Sequence, residues 1–144
     1  MNDTALAVNP AMRHKARHFA VQAIYQWQLT GYSPEEIEQQ FLEDQPVKGT
    51  DLSYLHDLIS GVITHVAELD TIFEPHLSRP LKDLDQVDKA ILRLGTFELV
   101  HRPDIPYRVV INESIMLAKE FAEQDSHKFV NGVLDKVVRA RALA

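Results

Sequence analysis

The chain has 144 residues, 45% of them hydrophobic, the usual size of one domain with a core that needs no covalent staples. It has no cysteine, which excludes disulfides, thiolate metal sites and thiol redox chemistry and fits a reducing cytoplasm. Its net charge of −6 argues against indiscriminate nucleic-acid binding, which depends on a broadly positive field, and no apolar run approaches the roughly 18 residues of a membrane span.

Residues 1–11 lack the cationic start of a secretory signal and read as a flexible tail, leaving 12–144 as the folded domain. From Ala16 the apolar residues Phe19, Ala20, Ala23, Ile24 and Trp27 keep one helical face, and Gly31 supplies the stop. Ser33, Pro34 and Glu36 then give an N-cap, a first-turn proline and a capping-box partner for a short helix with Ile37, Phe41 and Leu42 inward. The series Leu52, Leu55, Ile59, Val62, Ile63, Val66, Leu69 and Phe73 predicts one long helix as the central hydrophobic element. Pro75 and Pro80 allow only a turn or a short helix between them. Asp85 caps a helix carrying Val87, Ala90, Ile91, Leu94 and Glu98, and "RPDIPY" connects it to a further amphipathic face beginning near Ile111. Ser126 caps the last helix, built on Val130, Val133, Leu134 and Val137. "RVVIN" at 108–112 is the one β-like stretch, so the expected fold is a single all-α bundle of about seven helices.

The stretch "MRHKARHFAVQAIYQW" raises a physical question. A helix N-terminus already carries about half a positive charge, so cations there are unfavourable by roughly 0.3–1 kcal/mol each, yet Arg13, His14, Lys15, Arg17 and His18 all fall in its first turns. A phosphate-binding helix start accounts for them, since unpaired amides and cationic side chains act in one direction. The last helix repeats the design with His127, Lys128 and Phe129, the ring offering a surface for base stacking or, alternatively, ordinary core packing. On the first helix Val21, Tyr25 and Leu29 lie opposite the main stripe, either as core or as a face for a partner helix or a second copy of the chain. His14 and His18 have metal-ligand spacing, but the neighbouring cations oppose it and no metal or cofactor is expected. Asn112 reads as a structural residue at the margin of the core. No phosphate-cradling glycine loop or nucleophile elbow occurs, which favours binding over catalysis.

The segments "RHKARHFAVQAIYQW", "LDQVDKAILRLGTFEL", "DIPYRVVINESIMLAKEF" and "DSHKFVNGVLDKV" together resemble the NusB family of transcription antitermination factors over about residues 12–138. The resemblance implies an all-helical NusB-like fold that pairs with NusE, a ribosomal small-subunit protein. The heterodimer would bind the single-stranded boxA element of nascent ribosomal RNA and join an RNA polymerase antitermination complex. By motif match, Arg13, His14, Lys15, Arg17, Asp125, Lys128 and Phe129 are the expected RNA-binding residues, and Tyr25 and Asp88 the expected NusE contacts. His14 stands where family members often carry arginine, which implies weaker or pH-sensitive RNA binding. The acidic remainder suits a basic partner. A helical protein-binding module without specific RNA recognition is the alternative.

Overall fold

A computed structural model describes residues 8–144 of the chain. Seven α-helices follow in order: α1 (Pro10–Thr30), α2 (Pro34–Asp44), α3 (Leu52–Thr64), α4 (Val66–Phe73), α5 (Gln86–His101), α6 (Tyr107–Phe121) and α7 (Ser126–Ala140). Two 3₁₀ turns, Glu74–His76 and Leu81–Asp83, carry the proline-interrupted segment between α4 and α5. No strand occurs among the described residues, as expected of an all-α chain.

The local signals act where they stand in the sequence. Asn9 caps α1 by accepting from the Met12 amide, with Pro10 at the first helical position, so the helix begins just inside the expected tail. Residues 1–7, the rest of that tail, lie outside the described residues. Gly31 ends α1 at φ 71°, in the left-handed region that a side chain would resist. In α2 the Ser33 hydroxyl accepts from the Glu36 amide while the Glu36 carboxylate accepts from the Ser33 amide.

Other expectations change in the folded chain. The expected long helix over 52–73 breaks at His65, whose φ of −103° and ψ of 15° close α3 and open α4. The central element is instead α5, which packs against α1, α3, α4, α6 and α7 and buries ten of its 16 residues. Its close packing depends on small residues: a Cβ on Gly95 would lie 2.9 Å from both Leu134 and Ser114, and one on Gly61 of α3 only 2.3 Å from the Phe97 ring. Leu42, expected inward, is 42% exposed. "RVVIN" is helical, because Val110 and Ile111 are buried by tertiary packing that overrides β propensity. At the last helix Asp125, not Ser126, holds the N-cap position, and Ser126 is the first, buried, helical residue.

Candidate nucleic-acid interface

The cations at the start of α1 are largely answered from within the protein. Arg17 is 3% exposed. Its guanidinium donates from Nε to Glu98 Oε1 at 2.9 Å and from a terminal nitrogen to Glu98 Oε2 at 2.9 Å, a two-point fork. The same group donates to Glu113 at 3.1 Å and to the Tyr54 hydroxyl at 3.2 Å, and Tyr54 in turn donates to Glu98. Burial opposes the Arg17 charge, but the hydrogen bond and attraction to Glu98 outweigh it and raise its pKa further. Burial, reinforced by the Glu98 charge, pushes the Tyr54 phenol upward as well. Arg17 therefore leaves the set of expected RNA contacts: its donors are spent on α5, α6 and α3, and it ties the start of α1 to the core.

The neighbouring cations are bound less deeply. Arg13 lies over the Tyr54 ring at 4.4 Å, with Nε 3.8 Å from Asp51. Arg102 stacks at 4.8 Å from the same ring centroid. Lys15 reaches the Lys48 carbonyl at 2.6 Å. His14 Nδ1 is 2.9 Å from Glu113 Oε1, and His18 Nδ1 is 3.0 Å from Glu120. The two histidines thus face different carboxylates and do not converge on one point. Asn112, expected at the core margin, is exposed; it is the adjacent Glu113 that joins α6 to both His14 and Arg17.

At the opening of α7, Lys128 is exposed and lies 3.6 Å from Asp125. Phe129 packs partly against the core and lines an open cleft with Arg79, Asp88, Glu123, Asp125 and Ser126. Asp88 is only 5% exposed, and its Oδ1 has no hydrogen-bond partner. Burial raises its pKa, against the lowering influence of Ser126. An unpaired buried carboxylate oxygen lining a cleft favours a cationic visitor.

Tyr25 stands apart from that cleft, in an apolar groove of about 440 Å³ lined by Val21, Tyr25, Leu29, Phe41, Val87 and Phe121. Val21 is core, whereas Tyr25 and Leu29 are 37% and 58% exposed. Asp88 thus groups with Asp125 and Phe129, and Val87 and Phe121 border the Tyr25 groove beside them.

The two basic helix starts do not fuse into one positive groove. From His14 beside Glu113, the α1/α6 seam passes to His18 beside Glu120 and Phe121, then across the turn to Asp125 and Lys128. Histidine–glutamate pairs fill the interval between them. Spacing within one segment cannot reveal this, because Glu98 and Glu113 lie 81 and 96 residues from Arg17.

A family model described as the NusB family matches residues 14–139. The transcription antitermination protein NusB of Aeromonas salmonicida (strain A449) is 61% identical over 132 residues, 92% of this chain and 96% of that relative. The corresponding protein of Tolumonas auensis is 57% identical over 136 residues, 94% of this chain and 99% of its own. Among solved structures, the antitermination factors NusB and NusE in complex with dsRNA are similar at a TM-score of 0.81 and 33% identity, covering 88% of this chain and 96% of that one. The solution structure of NusB from Aquifex aeolicus gives a TM-score of 0.78 at 32% identity, covering 91% of each. A family match across all seven helices, with relatives this similar over nearly their whole length, establishes that the chain belongs to the NusB family of transcription antitermination proteins.

Proposed function

We propose that residues 12–144 form a non-catalytic adaptor that binds boxA RNA of ribosomal RNA transcripts as a heterodimer with NusE and helps RNA polymerase resist termination. The carrying observation is the cleft at the opening of α7, where a partly exposed ring and a buried carboxylate with one unpaired oxygen lie together, beside an exposed lysine 3.6 Å from Asp125 of the cleft wall. Lys128 supplies a phosphate contact and Phe129 a stacking surface. Lys15 adds a cationic contact and His14 a hydrogen-bonding ring at the other end of the α1/α6 seam, and the largely buried Arg13 borders them. Asp88 and Tyr25 then face NusE, whose basic character suits both the unpaired carboxylate and the acidic surface. Support comes from the similar structure in which NusB and NusE hold dsRNA.

Because that neighbour holds duplex RNA, the experiment compares strandedness directly. Single-stranded boxA RNA, its duplex and a scrambled strand are titrated against the protein with and without NusE, followed by fluorescence anisotropy. The expected order places single-stranded boxA first, tightened by NusE. Equal affinity for boxA and the scrambled strand would remove the specific claim.

Asp88 gives a prediction of opposite sign for stability and binding. Its folded pKa is raised, so its favourable contribution holds below the ordinary carboxylate range and is lost as pH rises through that range to the folded value. Above that range the ionised side chain is therefore a cost to the fold. Asp88→Asn should raise Tm at pH 7, with the gain vanishing in acid, while weakening association with NusE in a pull-down or calorimetric titration. A lower Tm at pH 7 would show that the carboxylate is held by the fold rather than offered to a partner.

A further inference from the structure

The geometry points to a divalent transition-metal site formed by His65, Glu68 and His101, on the opposite end of α5 from the Asp88 cleft. These are the residues that the fold, not the sequence spacing, brings together: His65 occupies the break between α3 and α4, Glu68 the first turn of α4, and His101 the last position of α5. Spacing along the sequence offers no such set of ligands, and no metal is expected from it.

One nitrogen from each histidine and one carboxylate oxygen lie within 4.8 Å of one another. Glu68 Oε1 is 2.8 Å from His101 Nε2 and 3.6 Å from His65 Nδ1. A tetrahedral ion with metal–nitrogen and metal–oxygen bonds of about 2.0–2.2 Å holds its donors roughly 3.3–3.5 Å apart, a value those two distances bracket. The rings are not free to scatter. His65 stacks on His101 at 4.3 Å and 23°, and Phe97 stacks on His101 at 5.3 Å.

Two imidazoles and one carboxylate select a borderline first-row ion such as zinc, nickel or cobalt over magnesium or calcium, which prefer all-oxygen shells. The remaining position faces an open cleft lined also by Asp57, Thr64 and Arg102, where water completes the shell. Asp57 adds negative charge. Arg102 and Arg141, the latter acting on Glu68, oppose the cation, but the Arg102 guanidinium is held by Asp57 and Asp104. A bound ion would clamp α4 to the end of α5, across 33 residues of chain. This site is independent of the RNA reading, since none of its three ligands belongs to the expected RNA or NusE contacts.

The purified chain, freed of metal by chelation, is titrated with cobalt(II) and zinc(II). The expected result is saturable one-to-one binding, intense visible cobalt absorption, and a Tm that climbs with the logarithm of zinc concentration. His65→Ala and His101→Ala should each weaken binding tenfold or more, Glu68→Gln should weaken it measurably, and His56→Ala, at an exposed histidine paired with Glu38, should leave it unchanged. Circular dichroism establishes that each variant is folded. Failure to see saturable binding in the parent chain, or undiminished binding in both His65→Ala and His101→Ala, overturns the proposal and leaves a metal-free histidine–glutamate cluster. RNA titrations of the same variants separate this outcome from any failure of the adaptor reading.

Discussion

Arg17→Ala should destabilise the protein by about 3–5 kcal/mol, the usual cost of leaving one member of a buried ion pair without its partner. Glu98 is almost fully buried and would be left with only the Tyr54 hydroxyl among its side-chain hydrogen-bond donors. Total stability of a domain is only about 5–15 kcal/mol, so such a loss removes a large share of it. At roughly 2–4 °C per kcal/mol for a chain near this size, Tm should fall by about 6–20 °C in a thermal melt followed by circular dichroism. Arg17→Lys should fall between, because an ammonium replaces the charge but not the two-point fork on Glu98. An RNA-contacting arginine would behave otherwise, with Tm nearly unchanged and RNA affinity reduced. That pattern would refute the structural role.

Phe129→Leu should weaken RNA binding by about 1–3 kcal/mol, the measured range for a lost base–aromatic stack, which corresponds to roughly five- to 150-fold. Leucine keeps apolar surface against the core that Phe129 partly covers, so the fold should change little. Phe129→Tyr retains the ring and should retain most of the affinity. Anisotropy at one fixed salt concentration distinguishes these cases, since affinities at different salt are not comparable. If Leu and Tyr variants bind RNA as the parent does, the ring serves packing alone.

The helix ends were legible because their chemistry is local. Gly31 with its left-handed backbone, the Ser33–Glu36 capping box and the Asp85 cap each act within a few residues. The break at His65 was hidden because the apolar spacing continues through it: Val62 and Leu69 are buried on either side of the turn. α5 looked like one amphipathic helix among several, and only the assembled bundle shows that neighbours cover it on nearly every side. Leu42 kept the inward period of α2 yet falls where no neighbouring helix covers it.

The site divides along the same line. Which residue types matter was visible in the motifs, but the division of labour among the cations depends on partners far away in sequence. Arg17 and Lys15 look equivalent in "RHKARH", yet Arg17 meets Glu98, Glu113 and Tyr54 in the interior while Lys15 meets only a loop carbonyl. The question posed by a basic helix start thus has two answers. Buried Glu98 and half-buried Glu113 answer Arg17, while Lys15, bonded to a loop carbonyl rather than a carboxylate, keeps its charge available for phosphate. The His65–Glu68–His101 cluster had no local signature, since its histidines are 36 positions apart and neighbours only through the α4–α5 packing.

The central claim is that RNA meets the exposed cations at the two helix starts while the buried arginine holds the fold. Its most direct test is the dependence of boxA affinity on salt, measured with NusE present for the parent chain and for the combined Lys15→Ala and Lys128→Ala variant. Each phosphate contact to a single strand contributes about −0.7 to the slope of log affinity against log salt, so the variant's slope should be shallower by about 1.4. An identical slope in the two proteins would contradict the account.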